Sequence, residues 1–259
     1  MLALARLGLR VAYVGAVGTD PESEAALAPL RAAGVDCSGV KRVAGGRGRR
    51  ALIRVERATG EREVFPERDP GVALRAADVD PERVAGARAL LVDAEDVEAS
   101  LCAARLANPQ RVAVVLDADR VAPGLDALLA HVDFPIVSRS FAEAYGGGSV
   151  RQGLRAVAKR ARRLAVVTLG PEGSVALARD GGRALVTPAF AVEARDTTGA
   201  GDAFHAGFVF GLLEGLPLAG VLRVAHAVAA LNCRGIGAQA GLPDRPVLEA
   251  FLAERADQG

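Results

Sequence analysis

Cysteine is scarce and unpaired in this chain: Cys37, Cys102 and Cys233 are the whole complement of 259 residues. An odd count with no Cys-x-x-Cys spacing excludes a disulfide framework and fits a reducing, cytoplasmic setting. Histidine is equally scarce, at His131, His205 and His226. No Cys/His cluster with metal-ligand spacing surrounds any of the three. Excess charge is missing too. Lysine and arginine number 32 against 31 acidic residues, a net charge of +1, which argues against nucleic acid or another polyanion as partner. No run reaches the roughly 18 uninterrupted apolar residues that a membrane span needs. The opening segment has Arg6 in its middle and no basic n-region, so it is a poor secretory leader. A Gly-x-Gly-x-x-Gly turn after an early strand is also absent, which sets a Rossmann oxidoreductase aside.

What is present is a chain 51% hydrophobic with 30 glycines, suited to one globular α/β domain spanning residues 1–259. Short apolar runs at 11–16, 89–92, 112–117, 134–137 and 165–169 read as strands. Helical patterns at 21–33, 95–107, 123–131 and 149–162 lie between them, the first closed by Gly34, a good C-cap residue. This alternation predicts a mostly parallel sheet with helices on both faces. Segments 51–56 and 62–65, around a Thr59-Gly60-Glu61 turn, read as one hairpin. Segments 174–178 and 183–186, around Asp180-Gly181-Gly182, read as a second. Helices are expected at 200–214, 217–232 and 246–256. The stretch 36–66 interrupts the βαβ rhythm with β-type segments. Its run Arg47-Gly48-Arg49-Arg50 is too short for a polyanion patch and reads as a solvated turn, with Gly45–Gly48 a mobile loop.

The most informative run is Asp196-Thr197-Thr198-Gly199-Ala200-Gly201-Asp202. The apolar stretch 203–214 makes Gly199, Ala200 and Gly201 the opening turn of a helix. Amides there have no intrahelical partners and carry the positive end of the macrodipole, so they suit a phosphate or a developing phosphoryl charge. Asp202 stands behind this anion hole as a candidate base. A buried strand at 165–169 runs into the Gly170-Pro171-Glu172-Gly173 turn, where an open α/β sheet collects ligands. Gly170 precedes Asp196 by 26 residues.

These two segments resemble the PfkB (ribokinase-like) family of small-molecule kinases. The resemblance implies a ribokinase-like α/β fold whose small β lid, at about 36–66, covers the sugar. It implies an ATP-dependent, Mg²⁺-requiring sugar kinase, with a ketohexose or ribose-like acceptor; nucleoside kinases are the runner-up. A binding protein without turnover is a further alternative. Nucleotide contacts are carried onto Thr168, Gly170, Gly173, His226 and Ser138, and sugar contacts onto Asp93 and Asp202. Asp196 and Thr198 match positions where several relatives hold a monovalent cation such as K⁺, with help from carbonyls of the 232–241 loop.

Two departures stand out. Where many members carry Asn-x-x-Glu, this chain has Ser138-Arg139-Ser140-Phe141, a pattern resembling the ketohexokinase-like subgroup. The family's first strand, with its sugar-binding aspartate and Gly-Gly…Asn segment, has no counterpart after Met1. The expectation is an N-terminally truncated kinase domain that leans on a homodimer partner.

Overall fold

A computed structural model describes residues 1–55 and 62–256. The expected Thr59-Gly60-Glu61 turn lies outside the described residues. In chain order the elements begin with α1 (Leu2–Arg6), β1 (Gly15–Val17), α2 (Pro21–Ala32), β2 (Val40–Arg42), and the pair β3 (Arg50–Val55) and β4 (Arg62–Glu67). The βαβ region follows: α3 (Pro81–Ala85), β5 (Ala89–Asp93), α4 (Val97–Ala107), β6 (Ala113–Ala118), α5 (Leu125–Leu129), β7 (Phe134–Ser138), α6 (Arg139–Tyr145), α7 (Val150–Arg160) and β8 (Leu164–Thr168). Hairpin β9 (Ser174–Ala178) and β10 (Leu185–Thr187) leads to α8 (Ala200–Leu213), α9 (Leu218–Asn232) and α10 (Arg245–Ala253).

Six strands form the central sheet in the order β10-β9-β8-β7-β6-β5. The pairs from β5 to β8 are parallel, and β8-β9-β10 is antiparallel. The strands alternate faces with period two. Val114, Leu116, Val137 and Val167 join one core, under α4, α5 and α7. Val115, Ile136 and Val166 join the other, under α8 and α9. Strands buried on both faces read as continuous Val/Ile/Leu runs, which is why β5 to β8 are legible in the sequence.

Helix α8 is the central support. Residues Ala203 to Gly211 are all buried, the signature of a helix apolar on every side. Its contact with α9 is close because two glycines face the partner. A Cβ on Gly207 would stand 2.7 Å from the Ala225 Cα, and one on Gly211 3.0 Å from the Val221 Cα.

The early part of the chain differs from expectation. Instead of a strand over 11–16, an isolated parallel bridge joins Ala12 to Asp36, and β1 pairs in parallel with β2 as a separate two-stranded sheet. The intervening α2, capped by the Asp20 side chain on Ser23 N–H, returns the chain so that this pair closes on itself. Hairpin β3–β4 is a third sheet, register Leu52 to Phe65, within the expected lid region. Helices α1, α3 and α6 have no counterpart in the sequence pattern. Each is seven residues or fewer, shorter than the periodicity that marks a helix. Among the described residues no helix is long and apolar enough to cross a membrane.

Candidate active site

The parallel register brings two pairs of polar residues to the carboxyl edge of the sheet. Asp93 of β5 is the register partner of Asp117 of β6, and Ser138 of β7 is the partner of Thr168 of β8. The Gly170–Gly173 turn continues from the same edge. Ligands of open parallel sheets bind at this edge, because helix N-termini and crossover loops converge there.

Gly199 precedes α8 in the left-handed region (φ +74°), and no side chain caps the helix. A Cβ on Gly199 would meet the Ala238 Cβ at 2.8 Å, so the turn packs directly on the 235–241 loop. The Ala200 N–H donates back to Thr197 O at 3.2 Å. Of the three amides Gly199, Ala200 and Gly201, the Ala200 N–H is thus engaged within the turn, and the Gly201 and Asp202 amides belong to the first turn, which lacks intrahelical acceptors. A Cβ on Gly201 would meet nothing within 4 Å, and both Gly201 and Asp202 are exposed. The approach to these amides is open.

Behind Asp202, on the next turn of α8, sits a residue the sequence analysis passed over. His205 is 5% exposed. Its Nδ1 lies 2.7 Å from Gly201 O, and its Nε2 lies 3.3 Å from Ile136 O and 3.5 Å from Asp117 Oδ1. Two carbonyls and a carboxyl oxygen surround the ring, so donors are in short supply. Burial raises the Asp117 pKa; nearby His205 opposes this, while the Asp202, Asp119 and Asp93 carboxylates add to it. The sequence did hold a signal for Asp117: a carboxylate ending the apolar run Val114-Val115-Leu116 at the ligand edge of a parallel strand.

The remaining site residues divide between open and structural positions. Asp93 is exposed, and its Oδ1 accepts the Glu95 N–H at 2.9 Å. Thr168 Oγ1 donates to Val137 O at 3.4 Å. Gly170 (φ +62°) has open space around it. Gly173 (φ +99°) is a packing position, because a Cβ there would sit 2.1 Å from Thr187 O. Ser138 caps α6 by accepting the Phe141 N–H at 3.1 Å. Phe141 itself is buried and stacked on Tyr145, with centroids 5.4 Å apart.

His226 is buried in the core. It is 5% exposed, its Nε2 bonds Ser174 Oγ at 2.8 Å, and its ring packs edge-on against Phe204. Burial lowers its pKa to about 4, so it is neutral at pH 7.

Asp196 ties two loops together. Oδ1 accepts Thr198 N–H at 2.8 Å and Oδ2 accepts Gly237 N–H at 2.9 Å. Asn232 Nδ2 donates to Thr198 O at 3.0 Å. A cleft of about 510 Å³ lies elsewhere, lined by Glu193, Arg195, Arg234 and Arg255 among others, none of them in the Asp202 constellation.

A phosphoryl-transfer architecture of this kind defines a kinase class, and the comparisons place the chain within it. The family model "pfkB family carbohydrate kinase" matches residues 1–245. An uncharacterized sugar kinase from Archaeoglobus fulgidus is 29% identical, the match covering 93% of this chain and 98% of that protein. An ATP-dependent ribose-1-phosphate kinase from Halopiger xanaduensis is 30% identical over 98% of this chain and 84% of its own. A crystal structure of a provisionally assigned ribokinase from Agrobacterium tumefaciens superposes with a TM-score of 0.90 at 29% identity, covering 100% of this chain and 85% of that one. The chain belongs to the pfkB family of carbohydrate kinases, and its fold is ribokinase-like.

Proposed function

We propose that this protein transfers the γ-phosphoryl group of ATP to a hydroxyl of a small sugar, ketohexose or ribose-like, within one kinase domain whose β3–β4 hairpin is the lid. The observation that carries the reading is the placement of Asp202 on the open first turn of α8, beside the Asp93–Asp117 row. Asp202 takes the acceptor's proton as its oxygen bonds to the γ-phosphorus. The bond to the β–γ bridging oxygen breaks, and ADP leaves with that electron pair. The Gly201 and Asp202 amides face the charge on the transferring group. Thr168 and Gly170 stand at the nucleotide end; His226, Ser138 and Gly173 we assign to supporting the loops there from within the fold.

The donor set fits Mg²⁺. Among the described residues no cluster of three or more ligating side chains occurs, but Mg²⁺ is ordinarily held by one or two carboxylates plus substrate phosphates. Asp117 and Asp119 supply two carboxyl groups at the right edge of the sheet. Bound there, the ion would neutralise the triphosphate. Asp196 and Thr198 remain in the reading as the place for a monovalent cation. A homodimer belongs to it as well, because Leu52 and Phe65, partners on the lid hairpin, are 72% and 48% exposed.

The test is ADP release with Mg²⁺ and a panel of ketoses, pentoses, sugar phosphates and nucleosides. Turnover above the no-acceptor rate with a sugar supports the reading. A preference for nucleosides would move it to the nucleoside branch, and no turnover with any alcohol would leave a binding protein.

A further inference from the structure

The arginine run at 47–50 reads as a solvated turn in the sequence, but its backbone is held on both sides. Arg47 N–H donates to Asp69 Oδ2 at 3.0 Å, and Gly48 N–H donates to both carboxylate oxygens of Asp20 at 3.0 Å. Arg49 is thus projected from a pinned segment where the lid begins. Its Nη2 lies 2.5 Å from Glu95 Oε2. Two more guanidiniums reach the same carboxylate: Arg68, where the lid ends, at 3.5 Å, and Arg120, from the loop after β6. Arg68 also pairs with Asp96. Three guanidiniums from three chain segments thus converge on the Glu95–Asp96 carboxylates.

The location is specific. Glu95 follows β5 directly and is tied to Asp93 by its N–H. Burial raises the Tyr13 hydroxyl's pKa, with Asp93 adding to the effect and Arg49 opposing it, so all three are neighbours. Strands β5 and β8 are separated by β6 and β7, which puts the nucleotide turn after β8 about 14 Å away at ~4.8 Å per strand. The arginines stand on the acceptor side, between lid and sheet edge, with the Asp93–Asp117 row and the Asp202 helix start next to them.

We propose that the acceptor is a sugar that already carries a phosphate ester, and that Arg49, Arg68 and Arg120 receive this phosphate in the place that the Glu95 carboxylate holds in its absence. The guanidinium fork matches phosphate geometry and stays charged at any working pH. Arg49, Arg120 and Arg68 keep 48%, 54% and 31% of their side-chain surface open, so a phosphate can reach them. Glu95 acts as an internal counter-ion that keeps the three side chains converged. This rests on the kinase reading for the identity of the accepting site, but the phosphate site can be tested without turnover.

The experiment uses the full chain and two readouts. Calorimetry compares ribose 1-phosphate, ribose 5-phosphate and fructose 6-phosphate with ribose, fructose, inorganic phosphate and a non-hydrolysable ATP analogue. ADP release is followed with the same acceptors. The expected result is that at least one sugar phosphate binds more tightly than its parent sugar, and that Arg49→Gln and Arg120→Gln each lower that affinity about 10–100-fold, the loss of one charge-assisted contact. Arg49→Lys should recover part of it. Glu95→Gln should tighten sugar phosphate binding by removing the competing carboxylate; weaker binding would make Glu95 a lid latch and overturn the proposal. Equal affinity for sugar and sugar phosphate would overturn it too. So would a loss in either arginine variant that falls on the ATP analogue alone, which would assign the cluster to the nucleotide. Binding of a sugar phosphate without ADP release would sustain the phosphate site while refuting the kinase reading. Thermal melting of each variant separates these outcomes from unfolding.

Discussion

At the scale of single residues, the site depends on what surrounds each carboxylate and histidine. Asp202 is exposed at the helix start, whereas Asp117 is held beside His205 with its pKa raised by burial. Replacing Asp202 by Asn keeps size and hydrogen bonding but removes the base. Turnover should fall by about 10²–10⁴-fold, with affinity for an ATP analogue within a few-fold of the parent. Steady-state kinetics beside calorimetry check this, and near-native kcat would remove Asp202 from the role of base. His226 gives a pH prediction. Its pKa falls from the ordinary 6.5 to about 4 in the folded protein, so below pH 6.5 the unfolded chain binds the proton that the folded chain refuses. The stability associated with a neutral His226 is full above pH 6.5 and is lost progressively as pH falls to about 4. The loss amounts to about 3 kcal/mol at most. Denaturant titrations of wild type and His226→Gln between pH 7 and pH 4 should converge as pH falls; parallel curves would mean that the buried ring is not the cause.

At the scale of elements, α8 and α9 form the platform that carries the Gly199–Asp202 turn. Gly207 lets the two backbones approach where a Cβ would be 2.7 Å from Ala225 Cα. Gly207→Val should therefore separate the helices and destabilise the protein by at least ~1–3 kcal/mol, the usual cost of overpacking. Because α8 carries Asp202, kcat should fall with the melting temperature. A variant that loses stability but keeps kcat unchanged at a temperature where it is folded would show that the turn is held by the Asp196 loop alone. Much of this element layer was legible. Strands β5 to β8 and helices α8 and α9 announce themselves through long, unambiguous apolar patterns. The β1 pairing and helices α1, α3 and α6 did not, since a strand of three residues or a helix of five to seven is chosen by its packing partners, not by its own periodicity.

At the scale of the whole molecule, the β3–β4 hairpin is one of the places where large apolar side chains stay exposed. Leu52 and Phe65 face each other across β3 and β4 and stay exposed. If lids pair between two copies, Leu52→Asp should shift the protein from dimer to monomer in sedimentation velocity and leave the melting temperature of the folded unit little changed. A parent protein that is already monomeric at the highest concentration tested would rule this surface out as a dimer contact.

The sequence by itself determined the α/β class, the kinase motif and the order of the strands and helices around it, because these depend on local patterns: buried apolar runs, glycines where φ is positive, and a carboxylate at a helix start. Three things waited for the tertiary structure. The Asp117–His205 pair joins residues 88 positions apart through the packing of α8 on β6. His226, which the resemblance places beside the nucleotide, is neutral at pH 7 and bonded to Ser174 in the core. Arg49, Arg68 and Arg120, from either side of the β3–β4 hairpin and from the loop after β6, meet on Glu95 only in the folded chain. Each of these is a contact between distant segments, and neither side chain's own neighbourhood in the chain specifies which partner it will meet.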